Sequence, residues 1–524
     1  MFAFSASRAR PSEKTTTAWG AEDWLSGPWA FLQGVTSLLT TLRRVEKGEP
    51  PVPMTRTRAR ADGQTVVEVF PATATDSLLL NGYGAEVWML PGVSREEATD
   101  GAAAMYRGQG YAEPGVALVL GAGNVGAITT LDILHTLYAE GSVCVVKMNP
   151  VNDYLSPYFE RIFGEYVARG WLRFVHGGAD VGAYLAHHDG IDSVHMTGSA
   201  VTHDAIVWGT GSEAEERRRT RDPKLTKRMT SELGGVSPMI VVGGAWSDAD
   251  LQFQAEHIVT SKLNNAGHNC IATQVLVLPE SWAQGDALLD RVRGVVASLP
   301  HRPAYYPRAA EKVDAAVAGH DSLELLGSGD LCALVPDLSA QGVASLVTDE
   351  VFGAAMGVVR LPGSTTAEFL ANAVAFANDV LPGTLGASVL IDPATAKRDR
   401  AALDAAIAGL RYGSVGVNAW TGLNFLLGYT PWGAFPGHTP EDIGSGIGFV
   451  HNAFLLRDVQ KGVAWMPFRP LHRSALNGQL HMSPKPPFFV TNRTGETTAR
   501  RLSAFLATGR PTALPGIFAS ALRG

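Results

Sequence analysis

The sequence predicts an α/β protein made of two doubly wound domains. Three observations carry this expectation. Short apolar runs alternate with stretches of helical periodicity from Val116 to Met196, and the alternation resumes after Met239 and continues to about Pro431. Strands that alternate with helices build parallel sheets covered on both faces. The chain has 524 residues, 46% hydrophobic and only 18% charged, enough to fill two or three cores.

Taken in order, residues 1–17 read as a loose leader. Apolar positions recur at helical spacing from Trp19 to about Val45. Ser94 and Glu97 form a capping box that starts a helix running from about Arg95 to Tyr106. Val116–Leu120 is a buried-type strand, followed by a glycine-rich loop and a helix over Thr129–Ala139. Ser142–Lys147 is the next strand. A helix near Tyr154–Ala168, a strand at Leu172–Val175, a helix near Val181–His187 and a strand at Ser193–Met196 follow. The charge run over 211–228 reads as a solvated loop. Met239–Val242 opens a second set of strands and helices, with Thr365 and Glu368 as another capping box and an Ala-rich helix over Asp392–Leu410. Beyond about Pro470 the apolar pattern is weak, which suggests a tail that wraps the surface or meets a partner subunit.

Composition excludes several classes. The formal net charge is −7 and there is no long Lys/Arg stripe, so a nucleic-acid surface is not expected. No apolar run reaches transmembrane length, and the N-terminus lacks the apolar core of a signal peptide. Three cysteines (Cys144, Cys270 and Cys332) argue for a reducing, cytoplasmic setting and against a disulfide framework. No Cys/His cluster points to a metal site.

Three motifs carry candidate chemistry. Gly121, Gly123 and Gly126 fit GxGxxG between a strand and a helix, the pattern that lets backbone approach a pyrophosphate. A plain strand-to-helix turn explains it as well, because the next strand ends at Lys147-Met-Asn-Pro150 with no acid. Asn124 inside this loop could donate to a developing oxyanion or brace the turn. Cys270 lies in Asn264-Asn-Ala-Gly-His-Asn-Cys-Ile271, a polar setting suited to a nucleophile, whereas Cys144 and Cys332 have apolar neighbours and read as structural. Glu232 precedes two glycines, as a turn residue would, and matters chemically only if the fold brings it to Cys270.

Together these motifs resemble the aldehyde dehydrogenase superfamily, from about Glu113 to about Val463. Thr197-Gly-Ser199 is similar to the family's TGS, and Glu232-Leu-Gly-Gly-Val-Ser-Pro238 to ELGGKSP with Val236 replacing Lys. Gly267-His-Asn-Cys270 is similar to GQxC with His268 replacing Gln, Glu350-Val-Phe-Gly353 to EIFGP with Ala354 replacing Pro, and Pro431-Trp-Gly433 to PFG with Trp432 replacing Phe. The resemblance implies Cys270 as nucleophile, Glu232 as the base for a deacylating water, and Asn124 with the Cys270 N–H as oxyanion hole. It implies Lys147 at the adenosine ribose, Thr197, Gly198 and Ser199 at the pyrophosphate, and Glu350 with Phe352 at the nicotinamide end. The GxGxxG match would then be largely coincidental.

The implied activity is oxidation of an aldehyde to a carboxylic acid with NAD or NADP, through a thiohemiacetal and a thioester on Cys270. The family often has Glu three residues after the ribose-binding Lys. Pro150 stands there, and without a carboxylate to repel a 2′-phosphate NADP is expected to be accepted, even preferred. His268 either substitutes for Gln in packing or helps ionise Cys270. Trp420, Phe425 and Trp432 could line an apolar funnel. The resemblance divides the chain into a cofactor-binding domain over 1–234, with an extension at 1–17 and an arm strand near 107–114. A catalytic domain over 235–430, a return segment and oligomerisation arm over 431–470 and a C-terminal extension over 471–524 complete it. It implies a homodimer or homotetramer paired through the arm, for which Arg107–Pro114 and Gly462–Pro470 are candidates. Other readings are a CoA-acylating reductase, a catalytically silent binding protein, and a GxGxxG alcohol dehydrogenase.

Overall fold

Runs such as Val-Ala-Leu-Val-Leu120 and Val-Leu-Val-Leu278 leave no polar face, so they are strands only where helices cover both sides. A computed structural model of the chain, describing residues 17–108, 114–341, 344–470 and 484–524, places both in such sheets.

The smaller sheet has six strands, in the order Gly446–Ile447, Arg228–Leu233, Ser193–Gly198, Val116–Leu120, Val143–Lys147 and Leu172–Val175. The last five are mutually parallel and the first is antiparallel. The chain winds outward from Val116–Leu120 through Val143–Lys147 to Leu172–Val175, then returns to the other side at Ser193–Gly198. The connections therefore diverge between the carboxyl ends of Val116–Leu120 and Ser193–Gly198, where a doubly wound sheet opens a ligand crevice.

The larger sheet has eleven strands, with a parallel centre from Val459–Trp465 through Ser414–Val417, Gly386–Leu390, Ser237–Val241, Thr273–Pro279 and Ala355–Leu361 to Cys332–Leu338. Antiparallel strands extend both edges: Gly84–Met89, Thr65–Phe70 and Thr57–Ala59 on one side and Glu324–Leu326 on the other. Thr273–Pro279 is buried at every position, with Phe369, Phe376 and Leu403 among the residues packed over the same core.

The two described termini meet. The helix Thr17–Trp24 packs along the helix Gly495–Thr508, and Gly20 lies so close to the Glu496 side chain that a Cβ would collide with it. A turn containing Pro28 follows, then the helix Ala30–Glu46, as the helical spacing from Trp19 to Val45 requires. Glu22 reaches across to Arg302, whose Nη1 donates to Glu22 Oε1 at 2.6 Å, with both side chains buried.

Several expectations need correction. The charge run contains a helix, Gly211–Thr220, with no buried face; ion pairs Glu213–Arg217 and Glu216–Arg219 hold successive turns together. Its stability comes from helix formers and charge pairing, which an apolar-period search does not detect. The Ala-rich helix is two, Pro393–Arg398 and Arg400–Gly409, broken at Asp399. The helix after Ser94 stops at Asp100. The tail is not a mere wrap: Leu502 and Phe505 are buried against the N-terminal turn. Strands over residues 57–89 join the larger sheet, not the 1–234 unit in which they were grouped. The arm candidate at Gly462–Pro470 fails in its first half, because Val459–Trp465 is hydrogen-bonded on both sides inside the larger sheet. Most of the other candidate, 109–113, lies outside the described residues, as does the leader 1–16. No helix among the described residues is long and apolar enough to cross a membrane.

Breaking the buried Glu22–Arg302 pair from one side should be costly. Arg302→Met is expected to lower stability by about 3–5 kcal/mol, because Glu22 keeps only the Asn265 N–H and must either hold a buried charge or take up a proton. Thermal denaturation alongside wild type checks this, and a midpoint that does not move rejects it.

Candidate functional site

The parallel strands of the smaller sheet end on one edge, and the loops leaving them deliver the expected residues. Val116–Leu120 leads to Asn124, Val143–Lys147 ends in Lys147, and Ser193–Gly198 leads to Ser199. Glu232 is the penultimate residue of Arg228–Leu233. Cys270 comes from the other domain. The helix Asp248–Leu263 ends at Leu263, and the chain turns back through Asn265 and Ala266, both left-handed at φ 55°, and Gly267 at φ 79°. Asn269 Nδ2 donates to Asn264 O at 2.9 Å and Trp420 Nε1 donates to Ile271 O at 2.9 Å, which ties the loop down on both sides of Cys270. A Cβ on Gly267 would run into the backbone of Gly353, so the Cys270 loop and the Glu350-Val-Phe-Gly353 segment touch backbone to backbone.

Two cavities meet at Cys270. The larger, of about 700 Å³, is lined by Asn124, Lys147, Thr197, Gly198, Ser199, Glu232, Cys270, Glu350 and Phe352, so it gathers every expected site residue. The smaller, of about 60 Å³, lies behind Cys270 and has Trp420, Phe425 and Trp432 on its wall. Asn124, Ile128 and Cys270 belong to both. Asn124 Nδ2 donates to His268 O at 2.9 Å, while its backbone carbonyl accepts from Tyr305 Oη and Asn265 Nδ2. A side-chain amide has two N–H groups, so holding Asn124 in this way leaves one for the space beside Cys270.

The electrostatics set the protonation states. Burial pushes the Cys270 thiol well above its ordinary value, and the negative charges of Glu232 and Glu350 add to the effect. Glu232 is buried, and burial followed by the charge of Asp132 raises its carboxyl well above the usual range. Among the described residues neither Glu232 oxygen has a close hydrogen-bond partner; the Trp432 ring N–H acts from longer range and pulls the carboxyl down against burial. Burial also pushes Asp132 up, but His195 and His451 outweigh it and hold this carboxylate low; His451 Nε2 lies 2.9 Å from Asp132 Oδ1. Asp132, Glu232 and His451 bring three potential ligand atoms within 4.8 Å of one another. These residues are far apart in sequence, which is why no metal-type spacing revealed the trio. His268 is on the wall of neither cavity. Its Nδ1 donates to Phe352 O at 2.8 Å and its ring packs against Tyr305, Tyr306 and Phe352.

The larger cavity suits a dinucleotide. Ser199 caps the helix Ala200–Val207 and accepts from Thr202 N at 3.3 Å, so a helix N-terminus faces the cavity. Thr197 Oγ1 is buried with no partner among the described residues. Glu350 lies so close to Gly234 that no Cβ fits there; burial raises its carboxyl to about 7 against the pull of Lys312 and Lys262. Burial lowers Lys147 against the charges of Asp153 and Asp180. Sequence reasoning missed Asp180, Tyr306 and Lys312 on this wall. Asp180 could have been suspected, since it opens the helix after the parallel strand Leu172–Val175. Tyr306 and Lys312 arrive from the other domain, with no motif to mark them. Pro150, in contrast, is exposed and off the wall.

A profile described as the aldehyde dehydrogenase family matches residues 86–306. An N-succinylglutamate 5-semialdehyde dehydrogenase of Caulobacter vibrioides is 30% identical over 223 residues, covering 39% of this chain and 44% of that one. Its counterpart in Chromobacterium violaceum is 27% identical over 295 residues, covering 52% and 55%. The chain thus spans about half the length of these curated relatives. An aldehyde dehydrogenase of Mycobacterium tuberculosis complexed with NAD+ shares the fold, with a TM-score of 0.51, 18% identity and 88% of each chain covered. The ordered motifs and the profile match over residues 86–306 make the chain similar to the aldehyde dehydrogenase family, and its fold is that of the aldehyde dehydrogenase structure above.

Proposed function

We propose that the protein oxidises an aldehyde to a carboxylic acid with NAD+ or NADP+, using Cys270 as nucleophile and Glu232 as base. One observation carries the reading: Cys270 stands where a dinucleotide-sized cavity and an apolar cavity meet, with Asn124 and Glu232 beside it. From the relatives' names we take aldehyde oxidation alone.

As a thiolate, its proton released to solvent, the Cys270 sulfur bonds to the aldehyde carbon, and the carbonyl electron pair moves onto oxygen. The free N–H of Asn124 and the Cys270 backbone N–H stabilise that charge; one such donor typically contributes about 3 kcal/mol. The bound cofactor supplies the acceptor for the hydride that leaves the thiohemiacetal carbon. Lys147, Ser199, Thr197, Gly198, Glu350 and Phe352 are the residues that would hold it. The thioester left on Cys270 is attacked by water as Glu232 takes the water's proton; the C–S bond breaks and the sulfur leaves with its electron pair. In sum, aldehyde, water and oxidised cofactor give acid, reduced cofactor and a proton.

Cys270→Ser is expected to abolish turnover. Glu232→Gln should keep a burst of one reduced cofactor per active site and then turn over slowly, because only deacylation loses its base. Burst stopped-flow absorbance distinguishes the two. Turnover that requires added CoA would instead support the acylating alternative, and turnover that survives Cys270→Ser would remove the thioester reading.

Burial and the charge of Asp132 raise the Glu232 carboxyl above its ordinary range, so deacylation should accelerate as pH rises through that elevated value. Asp132→Asn removes a neighbouring negative charge, and the acidic limb of the kcat profile should move to lower pH. A limb that stays in place, or moves up, rejects the coupling.

At the Lys147 end of the cavity the acid is Asp180, not a residue at position 150. Pro150 still leaves that position open to NADP. Asp180→Asn is expected to raise the NADP/NAD ratio of kcat/KM about tenfold by relieving repulsion of a 2′-phosphate. Pro150→Glu is expected to lower it. Ratios that ignore both substitutions place the ribose elsewhere.

A further inference from the structure

The cavity behind Cys270 differs in chemistry from the one in front. Apolar side chains, among them Val125, Ile128, Ile271, Trp420, Phe425 and Phe488, line it, and Leu25 joins them from the N-terminal turn. Several of its polar residues are engaged: Asn269 bonds Asn264, Ser26 donates to Glu22 O, and Glu22 accepts from Asn265 N and Arg302, while Asn124 at the Cys270 end keeps one N–H and Trp432 Nε1 has no close hydrogen-bond partner among the described residues. Glu22 is the one formally charged residue on this wall. Arg302 stands behind it, bonded to Glu22 and set over the Trp19 ring, and is not part of the wall. The volume of about 60 Å³ matches roughly four to six water-sized groups, at about 10–15 Å³ each.

We infer that this cavity receives the substituent of a short, uncharged aliphatic aldehyde and rejects aldehydes that end in a carboxylate. This rests on the reading of Cys270 as the nucleophile. A carboxylate placed here would lose its water, find no cation on the wall, and face the Glu22 side chain. A short alkyl chain would gain contact with the apolar side chains of the wall without desolvating a charge of its own. Phe425 sets the depth: its ring stands edge-on to Trp432 with centroids 5.6 Å apart and against His451 at 5.5 Å.

The test compares kcat/KM for butanal, succinic semialdehyde and octanal with the full-length protein and either cofactor. Succinic semialdehyde has the same four carbons as butanal but ends in a carboxylate. Butanal should exceed it by about 100-fold or more and exceed octanal by about tenfold. Phe425→Ala should raise the octanal/butanal ratio. Glu22→Gln should raise the succinic semialdehyde/butanal ratio; should this variant misfold, the wild-type ratios and Phe425→Ala still decide. Comparable or better turnover of succinic semialdehyde, dependent on Cys270, overturns the inference and leaves the aldehyde-oxidation reading intact. No turnover of any aldehyde, together with a Cys270 that resists alkylation, removes both.

Discussion

Between Leu263, where a helix stops, and Thr273, where a strand begins, the chain reverses direction around Asn265, Ala266 and Gly267. Two of these hold side chains in the left-handed region, at a cost of roughly 1–2 kcal/mol each. The surroundings offset it. Asn265 donates from its backbone to Glu22 and from its amide to the carbonyls of Asn124 and His268, and its Oδ1 accepts from Tyr305. A single residue thereby joins the N-terminal helix, the glycine loop and the Cys270 loop. Remove that turn and Cys270 no longer stands where the cavities meet.

The same turn explains why motifs distant in sequence act together. Gly267 has no Cβ and lies against Gly353, so the loop carrying Phe352 closes over the loop carrying Cys270. Phe352 is itself left-handed at φ 52°, and its carbonyl accepts from His268. His268 thus braces two loops, while charge at the thiol comes from Glu232 and Glu350. Both acids are raised by burial, and both oppose a resting thiolate. On the proposed reading, ionising Cys270 calls for positive charge or hydrogen-bond donors that arrive with the reactants.

Much of this was legible in the residues. The buried strands, the Ser94 capping box and the N-terminal helix are local, set by periodicity and by side chains that bond the backbone three positions away; Thr365 caps its helix as expected, but Glu368 turns back to Ser364 and does not close the box. Cys270, Glu232, Asn124, Lys147, Ser199 and Glu350 could be named because each lies in a short motif. Other features were not legible. Helix Gly211–Thr220 is held by charge pairs with no apolar stripe, and Asp132, His195 and His451 meet only because three segments pack together.

By itself the sequence determined the alternation of strand and helix, the polar loop around Cys270 and the order of the motifs. All of these are encoded over a few neighbouring residues. The tertiary structure alone decided that residues 57–89 join the larger sheet and that the helix Thr17–Trp24 packs against both Gly495–Thr508 and the turn that leads to Cys270. It also decided that Glu22 ends up on an otherwise uncharged wall and that Asp132 presses on Glu232. These outcomes follow from burial and from charges brought close across hundreds of residues. A carboxylate's strength as a base is set by what surrounds it, and the surroundings of Glu232 exist only once the chain has folded.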